Sequence, residues 1–335
     1  MANGKLVPKP SEYQELLFGF TDFLKYFIAL YLFVFLPMMA VHQEIMVPGG
    51  VLNRWIRTNV YEQGNMLDYM AEYHETNPFH DNDISICDYR TLTEKEFFNE
   101  YVRKGRLCLF KDYAKIQTAY SKWRNESYMR EVAGDEIIYA EKQLDNRFAY
   151  FTDGAKRVYM SFGDFLDAFK EENRTFHYYY SFSEPPGKLN EDIVLPPIMK
   201  NLFQIDKVTY WHGYGTLTRP HTDAMENMMC IYEGYKNFIV ADPADRKWIY
   251  SGTEGYPDNY SPVEFVWPDY QKYPLFRNAK VRNIHIKAGD CLYVPAYYWH
   301  QVQSSPEVSI GVATFFKTYH QIVDLMQMGF QQQVV

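Results

Sequence analysis

The sequence predicts a mainly β domain, a sandwich or barrel, with flanking helices. The first observation is a series of short runs rich in Val, Ile, Tyr and Phe: FHYYYSF, VTYWHGYG, MMCIY, YKNFIVA, NIHIKAG, CLYVPA and VSIGVATFF. The second is that turn-forming Pro, Gly and Asp residues separate these runs, which is typical of sandwiches and barrels. The third is an apolar fraction of 47% with a charged fraction of 23%, which excludes a disordered chain.

The first element in chain order is an apolar segment, YFIALYLFVFLPMMAV, at residues 26–41. As a helix it would span about 24 Å of the roughly 30 Å of a bilayer core, and His42 and Gln43 could supply the rest. We therefore expect a transmembrane anchor over about residues 26–43, within an N-terminal tail over residues 1–45. A helix packed on the domain or lying in the membrane interface, and a cleaved signal peptide, remain alternatives. A slight excess of Lys before the segment favours a single-pass membrane protein with a lumenal domain, and a cytoplasmic location is the alternative.

The next elements are a linker and then a folded domain. Residues 46–84 combine helical patterns with interrupting polar residues and are predicted to be a linker or stalk. Residues 85–335 are predicted to form one domain. Near its start, Thr93 followed three residues later by Glu96 predicts the capped beginning of a helix.

Charge argues against a nucleic-acid-binding protein, and cysteine spacing argues against a zinc ribbon. The net charge is −8 without a run of Lys or Arg, so no nucleic-acid partner is expected. The four cysteines form no C-x-x-C pair, which excludes a zinc ribbon. Cys230 and Cys291 lie inside apolar runs and are predicted to be small core residues, with no disulfide signature.

A possible metal site comes from two separated pieces of sequence. His221 and Asp223, in TRPHTD, are two residues apart, so on a strand both side chains point to one face. His300 follows the predicted strand CLYVPA. Two imidazoles and a carboxylate form the facial triad of non-haem Fe(II) oxygenases, which leaves one side of the ion open. We predict that these three are catalytic metal ligands. The alternatives are that they are hydrogen-bonded residues of a β domain, or that His212 is a ligand.

The sequence from residue 208 to residue 317 resembles the JmjC hydroxylases, which are cupin-like Fe(II)/2-oxoglutarate oxygenases. The resemblance rests on TRPHTDAMENMMCIYEGYKNFIVADPAD, YPLFRNAKVRNIHIKAGDCLYVPAYYWHQV and VATFFK, with a fainter match over residues 92–123. The small single-domain lysyl and asparaginyl protein hydroxylases are the most similar type. The resemblance implies a double-stranded β-helix (the jelly-roll or cupin fold), makes residues 85–335 the catalytic domain, and implies Fe(II), 2-oxoglutarate and O2 as cofactor and cosubstrates.

The resemblance also implies roles for individual residues. The three predicted ligands would bind Fe(II). Four further residues would bind the cosubstrate: Thr218, Lys236, Asn227 and Tyr179. Tyr179 is chosen from three consecutive tyrosines by register alone. Lys236 would lie beside the metal strand if residues 228–232 and 235–241 form a hairpin that turns at Glu233-Gly234, and a lysine in a partly apolar pocket needs an anion.

The reaction implied by the resemblance is hydroxylation of a protein side chain, of the Lys or Asn class, with release of succinate and CO2. The alternatives are N-methyl-lysine demethylation, a catalytically silent cupin-like membrane-associated binding protein, and a non-oxidative cupin metalloenzyme using Zn or Mn. The last strand, residues 312–315, lacks an Asn that some asparaginyl hydroxylases carry. The expected partner is a protein or peptide substrate. The amphipathic stretch over residues 322–330 could form a homodimer or cap the sheet.

Overall fold

Two units make up the chain, residues 1–60 and residues 61–335. The computed structural model describes residues 65–76, 84–148, 156–168, 175–199 and 203–318, together with Lys25, Phe27, Ile28 and Tyr31. The last four are the described part of the first unit. Every element named below belongs to the second.

Strands dominate the second unit and pair into two sheets. In chain order they are β1 (Ser85–Cys87), β2 (Cys108–Phe110), β3 (Ile137–Gln143), β4 (Arg147–Phe148), β5 (Lys156–Ser161), β6 (His177–Ser183), β7 (Phe203–Tyr214), β8 (Leu217–Thr218), β9 (Glu226–Glu233), β10 (Tyr235–Ala241), β11 (Arg282–Lys287), β12 (Cys291–Val294), β13 (Trp299–Ser304) and β14 (Val308–Thr318). The nine-stranded sheet has the order β1-β2-β12-β9-β14-β7-β6-β3-β5, and the five-stranded sheet has the order β11-β10-β13-β8-β4. The mainly β prediction is confirmed.

The helices are short, and most precede or interrupt the first strands. The α-helices are α1 (Asn65–Thr76), α2 (Glu94–Phe97), α3 (Thr118–Lys122), α4 (Glu126–Ala133) and α5 (Phe162–Ala168), with a π-helical turn at Phe98–Val102 and 3₁₀ turns at Ala114–Ile116, Gly187–Asp192, Pro197–Met199, Pro243–Trp248 and Pro274–Asn278. The predicted cap of α2 is present, because Thr93 Oγ1 accepts from the Glu96 N–H and the Glu96 carboxylate accepts from the Thr93 N–H.

The predicted hairpin between β9 and β10 is wrong, because these strands lie in different sheets. β9 pairs with β12 and β14, whereas β10 pairs with β11 and β13. Gly234 between them has a φ of +66°, a left-handed conformation that glycine adopts without strain, and there the chain crosses from one sheet to the other. Lys236 still lies beside a strand that carries a predicted metal ligand, because β10 pairs with β13, the strand of His300 (called the metal strand below).

Two groups of buried side chains hold the layers together. On the outer face of the nine-stranded sheet, residues such as Phe97, Met129 and Phe165 from the helices cover Tyr210 and Val312 from the strands. Between the two sheets, apolar residues from both layers form a second core: Phe148, Tyr179, Trp211, Met229, Phe238, Val240, Ile284, Leu292, Val302 and Phe315 among others. The sandwich therefore has an interior face, and the candidate site lies on it.

The four cysteines form two disulfides, which corrects the prediction that Cys230 and Cys291 are simple core residues. Cys230 on β9 and Cys291 on β12 are direct cross-strand partners and are bonded. Cys87 on β1 is bonded to Cys108 on the parallel neighbour β2. Sequence spacing did not reveal either pair, because 61 and 21 residues separate the partners and only the strand register brings them together.

The prediction of a single-pass membrane protein, based on residues 26–43, is wrong. No helix among the described residues is long and apolar enough to cross a bilayer. Only Phe27, Ile28 and Tyr31 of that segment are described, and the rest of the predicted anchor lies outside the described residues. The membrane localisation and the N-terminal hydrophobic helix of the predicted fold are therefore withdrawn.

Two other predicted segments are only partly described. Helix α1 lies inside the predicted linker, residues 46–84, and packs against the 3₁₀ turn Pro243–Trp248. The boundaries of the linker and of the catalytic domain remain predictions. The predicted dimerising stretch, residues 322–330, lies outside the described residues.

Candidate metal centre

The backbone brings His221 and His300 side by side. The His221 N–H donates to the His300 carbonyl at 3.0 Å, and the His300 N–H donates to the His221 carbonyl at 2.8 Å. This reciprocal pair is an antiparallel bridge, in which opposed side chains point to the same face. The imidazole ring centroids are 4.4 Å apart. The sheet thus joins two residues that are 79 positions apart in the sequence.

Asp223 completes a group of three potential ligands. Its Oδ2 lies 3.9 Å from His221 Nε2 and 3.7 Å from His300 Nε2. One potential ligand atom from each of the three residues lies within 4.8 Å of the others. The Asp223 carbonyl accepts from the Tyr297 N–H at 2.7 Å, and Tyr297 has a φ of +65°, which is uncommon for an aromatic residue. The loop before His300 therefore holds the backbone of Asp223 in place.

The hydrogen bonds of the two histidines leave one nitrogen of each ring for a metal. His221 Nδ1 lies 2.7 Å from the Arg219 carbonyl, and His300 Nδ1 lies 2.9 Å from the Tyr298 carbonyl. A carbonyl only accepts, so each Nδ1 carries the proton and each Nε2 keeps a lone pair. Burial, together with the neighbouring His221, lowers the pKa of His300 to about 4, so His300 is neutral at physiological pH.

Lys236 is a buried cation in the same interior. It is 0% exposed, and its Nζ donates to Ser304 Oγ at 2.7 Å. Among the described residues no carboxylate forms an ion pair with it. Burial lowers the pKa of Lys236 to about 7. The β10–β13 register pairs Lys236 with Ser304 and Val240 with His300, so all four side chains face the interior. Along β10, the backbone of Lys236 is roughly 13 Å from the position opposite His300.

The other three predicted cosubstrate residues have different surroundings. Tyr179 on β6 is buried, and its ring centroid lies 5.7 Å from Lys236 Nζ. Asn227 on β9 is buried, and its Oδ1 has no hydrogen-bond partner in the described structure. Thr218 on β8 is buried, and its hydroxyl accepts from the Val302 N–H at 2.9 Å. Lys236 and Tyr179 are thus close together, while Thr218 is held against the metal strand.

Three further polar residues belong to this region, and sequence reasoning missed them. Ser304 holds Lys236 and also bonds Thr216, and the alternation from His300 along β13 could have identified it. The Tyr260 ring stacks on the His221 ring, with centroids 5.7 Å apart. Glu141 lies on β3, directly opposite Tyr179 on β6, and no local pattern marks it.

The predicted alternative ligand, His212, is not at the metal centre. Its Nδ1 lies 2.9 Å from the Tyr210 hydroxyl, and its ring packs edge-on against Phe165 under helix α5. Burial lowers the pKa of His212 to about 3, so it is a neutral residue of the outer core.

Comparison with known proteins identifies the family of the chain. A family model described as a cupin-like domain matches residues 94–321. The chain is 27% identical to JmjC domain-containing protein D of Dictyostelium discoideum over 62% of this chain and 51% of that protein. It is 24% identical to human "Bifunctional peptidase and (3S)-lysyl hydroxylase JMJD7", over 64% of this chain and 78% of that protein. It is 26% identical to human tRNA wybutosine-synthesizing protein 5, over 67% of this chain and 75% of that protein. The chain therefore spans only about half the length of the Dictyostelium relative.

Proposed function

Because the chain belongs to the cupin-like domain family, and within it to the JmjC type, we propose that it is an Fe(II)- and 2-oxoglutarate-dependent oxygenase that hydroxylates a protein side chain. One observation carries the proposal. A group of two histidines and a carboxylate lies in the same interior as a buried lysine that has no carboxylate partner among the described residues.

The three ligands fit a first-row divalent metal. Atoms bound to one ion at about 2.1 Å can be no more than about 4.2 Å apart. The separations between Asp223 Oδ2 and the two Nε2 atoms, 3.9 Å and 3.7 Å, are within that limit, so one ion can contact Asp223 together with either histidine. Imidazole and carboxylate ligands suit Fe(II), and three protein ligands leave coordination positions for a cosubstrate. Two backbone carbonyls, at Arg219 and Tyr298, keep the imidazoles aimed at the ion.

Lys236 and its neighbours fit a dicarboxylate. A buried ammonium without a counter-ion is costly, and a ligand carboxylate would remove that cost. Such a charge-assisted hydrogen bond contributes roughly 1.5–3 kcal/mol. Asn227 would contact the cosubstrate through its amide N–H2 group, because its unpaired Oδ1 is an acceptor and a carboxylate is one too. Lys236 would hold the far carboxylate of 2-oxoglutarate while its oxo-acid end reaches the metal.

The chain's own residues would position the reactants and exclude water. When bound, Fe(II), 2-oxoglutarate and dioxygen supply the oxidising power for hydroxylation of a C–H bond, with succinate and CO2 as products. Apolar side chains of β10, Phe238 and Val240, lie between the strand positions of Lys236 and the metal ligands and would keep water away from this space. Tyr260 would line the approach to the metal beside His221.

Glu141 supports the lysine class of substrate over the asparagine class. Glu141 is 9% exposed, its carboxylate accepts from Ser181 Oγ at 2.6 Å, and no described cation is paired with it. Burial and the charge of Asp223 raise the pKa of Tyr260, Arg219 opposes that rise, and Glu141 adds to it. The charge of Glu141 is thus the smallest of the influences on the phenol that stacks on His221. A substrate ammonium would neutralise this carboxylate, whereas an amide would not.

A protein partner is favoured over RNA. One relative is named for the synthesis of a tRNA nucleoside. This chain has a net charge of −8, however, and phosphate backbones are bound through clusters of Lys and Arg.

The proposal is tested by measuring succinate formed from 2-oxoglutarate by the full chain under air, with Fe(II) and ascorbate. We expect slow turnover without a prime substrate, because these enzymes can oxidise 2-oxoglutarate uncoupled. Combined His221→Ala and Asp223→Ala should abolish it. Lys317→Met, which removes an exposed lysine paired with Asp206, should leave it unchanged. Succinate formation that persists in the His221/Asp223 variant would refute the proposed metal site.

A further inference from the structure

Helix α1 is anchored to the metal-binding domain by three charged or polar side chains. Asp68 forms an ion pair with Arg246, and Glu75 forms one with Lys247. Both partners lie in the 3₁₀ turn Pro243–Trp248. The third anchor, His74, is 2% exposed, although it lies in a segment that sequence analysis assigned to a linker. A buried histidine on a helix that only tethers the domain would have no evident use.

The surroundings of His74 are closely fitted. A Cβ atom on Gly105 would lie 2.8 Å from the His74 ring, and Gly105 has a φ of +59°, so a glycine is required there. The His74 ring meets the edge of the Tyr298 ring with centroids 5.7 Å apart. His74 Nδ1 lies 3.3 Å from the Asp242 carboxylate. The helix therefore reaches the end of β10, next to the metal strand β13.

Asp242 connects His74 to the metal strand. Its carboxylate accepts from the Tyr298 hydroxyl at 3.3 Å and from the Ala244 N–H at 2.9 Å. Burial acts to raise the pKa of Asp242, but the hydrogen bonds of His74, Ala244 and Tyr298 lower it overall. Asp242 is thus a carboxylate that fixes three elements at one point.

Tyr298 in turn holds a metal ligand. Its carbonyl accepts from His300 Nδ1 at 2.9 Å, and its side chain is 1% exposed. Asp242 fixes the side-chain hydroxyl of Tyr298, and the backbone carbonyl of the same residue orients His300. A continuous path of side-chain and backbone contacts therefore runs from His74 through Asp242 and Tyr298 to His300.

We propose that helix α1 is part of the catalytic unit and that His74 is a positioning residue for the metal ligand His300. The inference rests on the proposed metal site. The group that orients a ligating imidazole typically contributes about tenfold to a hundredfold in metal affinity. His74 acts two steps further away, through Asp242 and Tyr298, so we expect its loss to weaken metal binding by about threefold to tenfold.

The test is an anaerobic Co(II) titration of the full chain, followed by the visible absorption of the bound ion. His74→Phe keeps a ring in the pocket and removes the hydrogen bond to Asp242. Tyr298→Phe removes only the hydroxyl that donates a hydrogen bond to Asp242. Both should raise the Co(II) Kd by about threefold to tenfold and alter the visible bands. His74→Gln, which can still donate to Asp242, should restore much of the affinity.

The matched control is Glu75→Gln, which breaks an ion pair of the same helix that does not reach Asp242. It should leave the Co(II) Kd and spectrum unchanged. A purely structural role for His74 would lower the Tm of His74→Phe without moving the Kd, and that result would overturn the inference. If His74→Phe does not fold, an unchanged Kd in Tyr298→Phe overturns it equally. Wild-type protein that binds no Co(II) would instead refute the metal site itself.

Discussion

The buried ammonium of Lys236 gives the candidate site a pH dependence that can be worked out. Burial lowers the pKa of Lys236 to about 7 in the protein alone. A bound carboxylate favours the protonated form and raises that pKa again. The affinity for 2-oxoglutarate should therefore be full below about pH 7 and fall by up to tenfold per pH unit above it, until the raised pKa is reached.

This dependence can be measured by calorimetric titration of 2-oxoglutarate into Mn(II)-loaded protein at about pH 6.5 and about pH 8.5. Lys236→Arg is the control, because a guanidinium stays charged throughout this range. It should bind more weakly and with a flat profile. Equal slopes in the wild-type and Arg proteins would show that another group titrates.

Glu141 determines the expected substrate charge. Nα-acetyl-lysine amide should change the rate of 2-oxoglutarate turnover at concentrations where Nα-acetyl-norleucine amide, which lacks the ammonium, has no effect. Glu141→Gln should weaken the lysine effect about tenfold or more, since it removes one charge-assisted contact. Glu307→Gln, at an exposed position, is the control. An unchanged lysine effect in Glu141→Gln would contradict the lysine class.

Individual site residues differed in how far the sequence could predict them. His221 and Asp223 could be predicted because their relation is local: they are two positions apart, although only His221 forms a strand-like bridge and Asp223 lies outside the strands. His300, Lys236 and the cosubstrate residues came from resemblance to a family, not from spacing. Glu141 could not be predicted, because its place beside Tyr179 depends on the β3–β6 register, which pairs residues 38 positions apart.

At the scale of elements, the crossover at Gly234 is the turn on which the site depends most. Its φ is +66°, and an added Cβ would lie 2.3 Å from the Val308 carbonyl oxygen. Gly234→Ala should therefore destabilise the protein by about 3 kcal/mol or more, combining backbone strain with a steric clash. Gly255, with a φ of +81° and no atom within 4 Å of an added Cβ, is the matched control.

Urea unfolding of the two variants separates the destabilisation caused by backbone strain from that caused by the steric clash. Gly255→Ala should lose only about 1 kcal/mol, from backbone strain alone. Similar losses in both variants would mean that packing at the crossover contributes little.

The same crossover shows why strands were predicted better than their pairing. YKNFIVA was predicted as a strand and is β10, residues Tyr235–Ala241, because β-branched and aromatic residues mark an extended, half-buried segment. A glycine between two such strands predicts a hairpin, which is the commonest solution. Here each strand finds other partners, and only packing of the whole sandwich selects them. The disulfides were missed for the same reason.

At the scale of the whole molecule, the candidate site exists only because two sheets face each other. The metal ligands and Lys236 are placed by the five-stranded sheet and its bridge, whereas Tyr179, Asn227 and Glu141 come from the nine-stranded sheet. Between them lies the apolar interior that raises the cost of an unpaired charge. We expect ligand binding to stabilise the sandwich as a unit, since the ligand would bridge both ends of that interior.

The central claim is that one dicarboxylate is held by the metal at one end and by Lys236 at the other. The most direct measurement is calorimetric titration of 2-oxoglutarate into the full chain in three states: Mn(II)-loaded, metal-free, and Mn(II)-loaded Lys236→Met. The account predicts clear binding in the first state and a loss of at least about tenfold in each of the other two. It also predicts that Lys236→Met unfolds at a higher temperature than wild type without ligand, because a buried unpaired charge has been removed. Equal 2-oxoglutarate affinity in wild type and Lys236→Met would contradict the account.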